Sequence, residues 1–240
     1  MKKIISYIPD CITSMNLLCG IIGVVFAFKC RFDMAFYFMM AAAVFDFLDG
    51  FVARLLGAYS DMGKELDSLS DVVSFGVLPS VMLYSLMKTF MFEESLVCWV
   101  PLLIAVFSGI RLAKFNVDSR QHSSFLGLPT PACALLCASL AYFVCATPNS
   151  FLALWVAGPV FIPALSLVLC FLLVCELPMF SFKFSKDDSK SLKLKRLTFL
   201  ALVAIVSVVC LLCSLNWSLI VMFAIVLYIL KNIVYFFAKI

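Results

Sequence analysis

Charge and histidine are scarce in this 240-residue sequence: 13% of residues are charged, and His122 is the one histidine. A single imidazole excludes any metal site built on paired histidines. His122 itself falls in a polar loop, where it is expected to take no part in chemistry. There is no small-x-small cleavage site after the Lys2-Lys3 start, so the first apolar run is expected to be a retained span and not a signal peptide. No internal repeat of fixed period is visible. The eleven cysteines sit mostly inside apolar runs, where a disulfide framework has little to staple, and they read as buried packing thiols. Cys210-x-x-Cys213 has a redox spacing, but its strongly apolar surroundings favour packing there too.

What the sequence has instead is apolar length. Hydrophobic residues make up 65% of it, against about half in soluble domains. Apolar runs of about twenty residues follow one another and predict helices near 11–28, 33–55, 65–88, 96–115, 130–147, 151–177, 197–214 and 217–238. The expected fold is all-α, a polytopic transmembrane bundle of about eight spans. Residues 1–178 form a six-helix core, 179–196 a basic loop, and 197–240 a C-terminal helix pair.

Fifteen of the 18 lysines and arginines fall on one side of this topology, leaving only Lys29, Arg31 and Lys88 on the other. The positive-inside bias therefore puts the N-terminus in the cytoplasm. The loop around Lys183, Lys186, Lys190, Lys193, Lys195 and Arg196 reads as an orienting or lipid-contacting face of the bilayer, and no nucleic-acid partner is expected. Asn216-Trp217-Ser218 is a weak glycosylation pattern, and Trp217 suits an interfacial anchor.

Against this apolar background, Asp46 to Asp71 holds six of the fourteen acids. On a helix, Asp46, Asp49, Gly50, Ala53 and Arg54 fall within an arc of about 140°, and Gly63, Asp67 and Asp71 within about 80° of a second helix. Two helices would each show a carboxylate pair. Like charges about 4 Å apart repel by roughly 4 kcal/mol at an effective dielectric near 20. Arg54 and Lys64 are the only bases in the stretch, which leaves it four negative charges. Two divalent ions would cancel them, and ligation by carboxylates alone favours Mg²⁺ or Mn²⁺. A metal pair of that kind suits displacement at phosphorus.

The spacing Asp-x-x-Asp-Gly-x-x-Ala-Arg-x8-Gly-x3-Asp-x3-Asp resembles the signature of the CDP-alcohol phosphatidyltransferase family at all eight fixed positions: Asp46, Asp49, Gly50, Ala53, Arg54, Gly63, Asp67 and Asp71. The stretches Glu65–Asp71, Ser74-Phe75-Gly76, Gly109–Asn116 and Phe125–Pro131 are similar to its integral-membrane phosphatidylserine synthase branch. The resemblance covers the first six spans. It implies transfer of a phosphatidyl group from CDP-diacylglycerol to the hydroxyl of L-serine, with CMP released, in a homodimer whose site faces the cytoplasm.

The same resemblance implies roles for residues. Asp46, Asp49, Asp67 and Asp71 would hold the metals, and Asp71 would accept the serine proton. Thr13, Asn16, Asp49, Gly50, Ala53, Arg54, Ser60, Gly63 and Asp67 would hold CDP-diacylglycerol. Asp10 stands where many members have Asn. Close helix packing also explains the small residues, and loop capping also explains Ser60. Arg111, Lys114 and Asn116 at the end of the fourth helix are candidates for the serine carboxylate, with a positive-inside anchor as the competing reading. The Leu128-Pro129-Thr130-Pro131 turn is either a cover for the acceptor or a rigid loop start. Two other functions remain open: the same chemistry on glycerol 3-phosphate or inositol phosphate, and divalent cation transport.

Overall fold

The computed structural model describes residues 7–91, 95–117, 125–179, 190–212 and 215–238. Lys2, Lys3, Arg120, His122, Lys183, Lys186, Cys213 and Lys239 lie outside the described residues, as do the side chains of Lys190, Lys193, Lys195 and Arg196.

The chain is a helical membrane bundle. Helix α1 (Tyr7–Phe28) tolerates Pro9 because the first turn needs no N–H there. Helix α2 (Phe32–Leu56) stops at Gly57, which takes the left-handed conformation (φ 59°) and donates its N–H to the Ala53 carbonyl. Helix α3 spans Asp61–Phe90. Its N-cap is Ser60, whose hydroxyl accepts from the Gly63 N–H at 2.9 Å. A π-helical turn, Val72–Val77, interrupts it. Helix α4 (Leu96–Val117) opens as a 3₁₀ segment, Leu96–Leu102, around Pro101.

Helix α5 is Thr130–Ala146, α6 Phe151–Val156, α7 Phe161–Val174, α8 Lys190–Leu212 and α9 Ser218–Ala238. Five helices are long and apolar enough to cross a membrane: α1, α2, α3, α4 and α9. Shorter apolar helices cover Thr130–Ala146, Phe161–Val174 and Leu197–Leu212.

Two expectations need correcting, and one small feature is added. The single helix expected at 151–177 is split, because Pro159 has no N–H to donate and disfavours helical geometry at Gly158 before it. The basic loop expected to reach residue 196 ends at 189, and Lys190–Arg196 form the first turns of α8. The all-α bundle also carries one short antiparallel pairing, β1 (Phe125–Leu126) with β2 (Pro178–Met179).

Helix α3 is the axis. Two-thirds (67%) of its most apolar window is buried, against 28–33% for the other four long helices. Helix α1 packs along α2 and also against α3, α4 packs on the π turn, and α5 packs against α2, α3 and α9. Polar stitches fix α1 to α3: the Ser70 hydroxyl donates to the Thr13 carbonyl at 3.3 Å, and that of Ser74 to the Asn16 carbonyl at 3.1 Å. Gly20 makes this approach possible, since a Cβ there would run into the Ser74 hydroxyl and come within 3.0 Å of its Cα.

At one end of the bundle Trp217 stacks on Tyr37 (centroids 6.2 Å, 12°) beside Phe36 and Tyr142. The expected interfacial anchor thus also joins α9 to the core. The opposite end carries the start of α1, the end of α2, the start of α3 and the end of α4, which between them bear the conspicuous polar residues.

Candidate active site

The C-terminal half of α2 and the N-terminal third of α3 meet across the start of α1. Asp46, Asp49 and Asp67 each offer a carboxylate oxygen within 4.8 Å of the other two, and the carboxyl groups of Asp46 and Asp71 come within hydrogen-bond reach of each other. Helical periodicity puts each pair on one face, since residues three or four apart share a face, and the packing of α1 against both α2 and α3 brings the two faces together.

The electrostatics are unfavourable as they stand. Each pair at 4.8 Å repels by about 3.5 kcal/mol at an effective dielectric near 20. Asp49 Oδ2, Asp67 Oδ1 and Asp71 Oδ1 are buried without a hydrogen-bond partner. Among the described residues none of the four aspartates is in an ion pair with a base. Unpartnered carboxylate oxygens converging on one point are what a divalent cation requires, so the donor set fits one.

Beside the cluster opens a cavity of about 420 Å³, with Asp49 and Asp67 in its wall. Thr13, Gly50, Ala53, Arg54, Ser60 and Gly63 line it as well. A Cβ at Gly50 would meet nothing within 4 Å, so this glycine leaves space. Gly63 does the opposite: a Cβ there would stand 2.6 Å from Asp10 Oδ1 and 2.9 Å from the Ser60 hydroxyl oxygen, so the starts of α1 and α3 touch through it. The Thr13 hydroxyl donates to the Pro9 carbonyl at 3.0 Å and lies beside the Asp49 carboxylate.

Arg54 Nε donates to the Gly50 carbonyl at 2.8 Å, which fixes the guanidinium at the rim. Ser60 caps α3, which leaves its hydroxyl proton uncommitted. Asn16 is fully buried one turn deeper, and neither its amide nitrogen nor its oxygen has a partner.

The three residues expected at the acceptor side separate. Arg111 is buried, 7% exposed, and Nη1 donates to the Thr130 hydroxyl at 2.9 Å. Asp71 lies within electrostatic range of its guanidinium. Lys114 points outward into an ion pair with Glu176 at 3.1 Å. Asn116 donates through Nδ2 to the Ser68 hydroxyl at 2.8 Å, tying α4 to α3.

The Leu128-Pro129-Thr130-Pro131 turn is pinned. Gly127 (φ 76°) donates its N–H to the Leu177 carbonyl and Leu128 to that of Leu172, and a Cβ at Gly127 would sit 2.7 Å from the Leu173 carbonyl oxygen. This fastening to the end of α7 holds Thr130 under Arg111.

Sequence reasoning missed Ser70, Ser74 and, on the cavity wall, Lys64 and Tyr59, and it named Thr130 only as part of a turn. Ser70 and Ser74 were signalled by their spacing, three and seven residues beyond Asp67. Nothing local marked Thr130 as the partner of a residue nineteen positions earlier.

The profile of the CDP-alcohol phosphatidyltransferase family matches residues 6–172. A Bacillus subtilis protein named CDP-diacylglycerol--serine O-phosphatidyltransferase is 34% identical over 137 residues, 57% of this chain and 76% of its own length. A Methanocaldococcus jannaschii protein of the same name is 36% identical over 152 residues, 63% of this chain and 66% of its own. An archaetidylserine synthase of Methanothermobacter thermautotrophicus is 37% identical over 142 residues, 58% of this chain and 60% of its own.

Proposed function

The chain belongs to the CDP-alcohol phosphatidyltransferase family, and from that membership we propose that it moves the phosphatidyl group of CDP-diacylglycerol to the hydroxyl of L-serine, yielding phosphatidylserine and CMP. The observation that carries the reading is the convergence of Asp46, Asp49 and Asp67 on one point beside a cavity large enough for a nucleotide headgroup.

Asp46, Asp49, Asp67 and Asp71 would hold two divalent cations, Mg²⁺ or Mn²⁺, which when bound supply neutralisation of the pyrophosphate and stabilisation of the departing CMP. The rest is the work of side chains. Thr13, Ser60 and the small residues Gly50, Ala53 and Gly63 shape the nucleotide's seat, Asn16 lies buried beneath it, outside the cavity wall, and Arg54 at its rim meets a phosphate oxygen. The serine oxygen forms a bond to the phosphatidyl phosphorus as the bond from that phosphorus to the CMP oxygen breaks. Asp71 takes the hydroxyl proton, being the aspartate of the four whose charge acts on Arg111.

Serine is favoured over glycerol 3-phosphate or inositol phosphate by the supply of positive charge. Arg111 is the one buried cation among the described residues, and Lys114 is spent on Glu176. One guanidinium suits a monoanionic carboxylate better than a phosphate dianion. Gathering of the acids at one end of the bundle argues against a transport path, which would spread them through its depth.

The site opens on the cytoplasm, as the distribution of lysines and arginines supports. Residues 1–178 are the catalytic core, and the helices from Lys190 onward complete the bundle. The protein works as a homodimer. Helix α3 is largely covered within its own bundle, so the contact falls on the apolar face of α4 that bears Val106 and Ile110.

Purified protein given CDP-diacylglycerol, Mn²⁺ and either labelled serine or labelled glycerol 3-phosphate decides the acceptor. Labelled lipid from serine alone is expected, and labelled lipid from glycerol 3-phosphate alone overturns the reading.

A further inference from the structure

One acid on the cavity wall has no part in the metal cluster. Asp10, in the first turn of α1, lines the cavity together with Thr13, Ser60 and Gly63. It stands apart from the set formed by Asp46, Asp49 and Asp67, and among the described residues no base pairs with it. It precedes Thr13 by three residues, which puts it about 4.5 Å nearer the end of the bundle along α1.

A second polar group stands with it. A Cβ on Gly63 would lie 2.6 Å from Asp10 Oδ1 and 2.9 Å from Ser60 Oγ, so those two oxygens are no more than 5.5 Å apart, the two distances laid end to end. As a carboxylate Asp10 only accepts, whereas Ser60, which accepts from the Gly63 N–H, keeps its own proton to donate. The bare Cα of Gly63 is what lets the acid reach this spot.

The polar wall of the cavity therefore divides by chemistry. Asp49 and Asp67 belong to the metal cluster, and Arg54 and Lys64 are the bases that can take phosphate oxygens. What is left for the far end of a nucleotide is an acceptor beside a donor. The edge of cytosine presents the complement, an amino group beside an unprotonated ring nitrogen. Uracil presents a carbonyl oxygen beside an N–H. A hydroxyl can turn to suit either ring nitrogen, so Ser60 does not discriminate. A carboxylate against a carbonyl oxygen sets lone pair against lone pair, so Asp10 does.

We propose that Asp10 selects the base of the donor: its carboxylate accepts from the exocyclic amino group of cytosine, with Ser60 bonded to the ring nitrogen beside it. This deepens the phosphatidyl-transfer reading and rests on its nucleotide half alone, since the acceptor alcohol plays no part in it.

The test is equilibrium binding of CMP and of UMP to the full-length protein, purified in detergent and supplied with Mn²⁺, for the parent, Asp10→Asn and Asp10→Ala. One hydrogen bond to a charged group predicts that the parent holds CMP about tenfold to a hundredfold tighter than UMP. Asp10→Asn, whose amide can turn its N–H₂ to the uracil carbonyl, should gain affinity for UMP and bring the two nucleotides within about threefold of each other. Asp10→Ala should lose about tenfold for CMP and leave UMP as in the parent. A preference for CMP that both variants retain overturns the Asp10 assignment and leaves the transferase reading intact, as does a parent that binds CMP and UMP equally. A parallel loss for both nucleotides also overturns it, since a purely structural residue behaves that way. A parent that binds neither nucleotide overturns both.

Discussion

Replacing Asp49 by Asn should make the protein more stable without metal and less stable with it. Asp49 is 6% exposed, and its carboxylate lies within 4.8 Å of those of Asp46 and Asp67. At an effective dielectric near 20 each contact costs about 3.5 kcal/mol if both partners are charged, so the isosteric amide relieves up to about 7 kcal/mol. Screening and local relaxation offset most of that, which leaves an expected net gain of about 2 kcal/mol. At about 2–4 °C per kcal/mol for a chain of this size, the variant in excess EDTA should melt about 4–8 °C above the parent. Adding Mg²⁺ or Mn²⁺ should then raise the parent's melting temperature strongly and the variant's little, so that their order inverts. A thermal-shift titration on detergent-purified protein reads both halves. A variant that melts below its parent in EDTA and responds to metal as the parent does would show that these carboxylates neither repel one another nor share an ion.

Three further outcomes are expected. Asp71→Asn should lower kcat by about 10²–10⁴-fold while CDP-diacylglycerol binding, followed by equilibrium binding to the purified protein, persists; near-normal turnover would remove Asp71 as the base. Gly20→Ala pushes a methyl group against Ser74 and should cost about 1–3 kcal/mol in thermal stability, with turnover falling as α1 and α3 separate. Thr130→Val strips Arg111 Nη1 of its partner and should raise KM for serine about tenfold, whereas Thr130→Ser should restore it.

The residues that could be found in the sequence were those whose relations are local. Asp46 with Asp49, and Asp67 with Asp71, declare themselves through helical spacing, and apolar runs of membrane length declare the helices that carry them. Gly57 and Ser60 likewise mark the ends of α2 and α3 by residue type. What stayed hidden depends on contacts distant in sequence. The division between Arg111, turned inward to Thr130, and Lys114, turned outward to Glu176, cannot be told from two bases three positions apart on one helix. The break at Gly158-Pro159 was written in the sequence but outweighed by the length of the apolar run around it. The packing of α9 along α5 likewise depends on contacts far apart in sequence.

The wide turn at Val72–Val77 has a consequence for how α3 is aimed. One surplus residue in a helical turn resets the angular phase by about 100°, so the stretch before it and the stretch after it keep separate bearings. Leu78–Phe90 therefore packs into the core on its own phase, separate from the phase that turns Asp67 and Asp71 to the cluster. Excising a single residue from the turn would weld the two stretches into one rigid rod: an intact span, correctly inserted, with its acids pointed the wrong way.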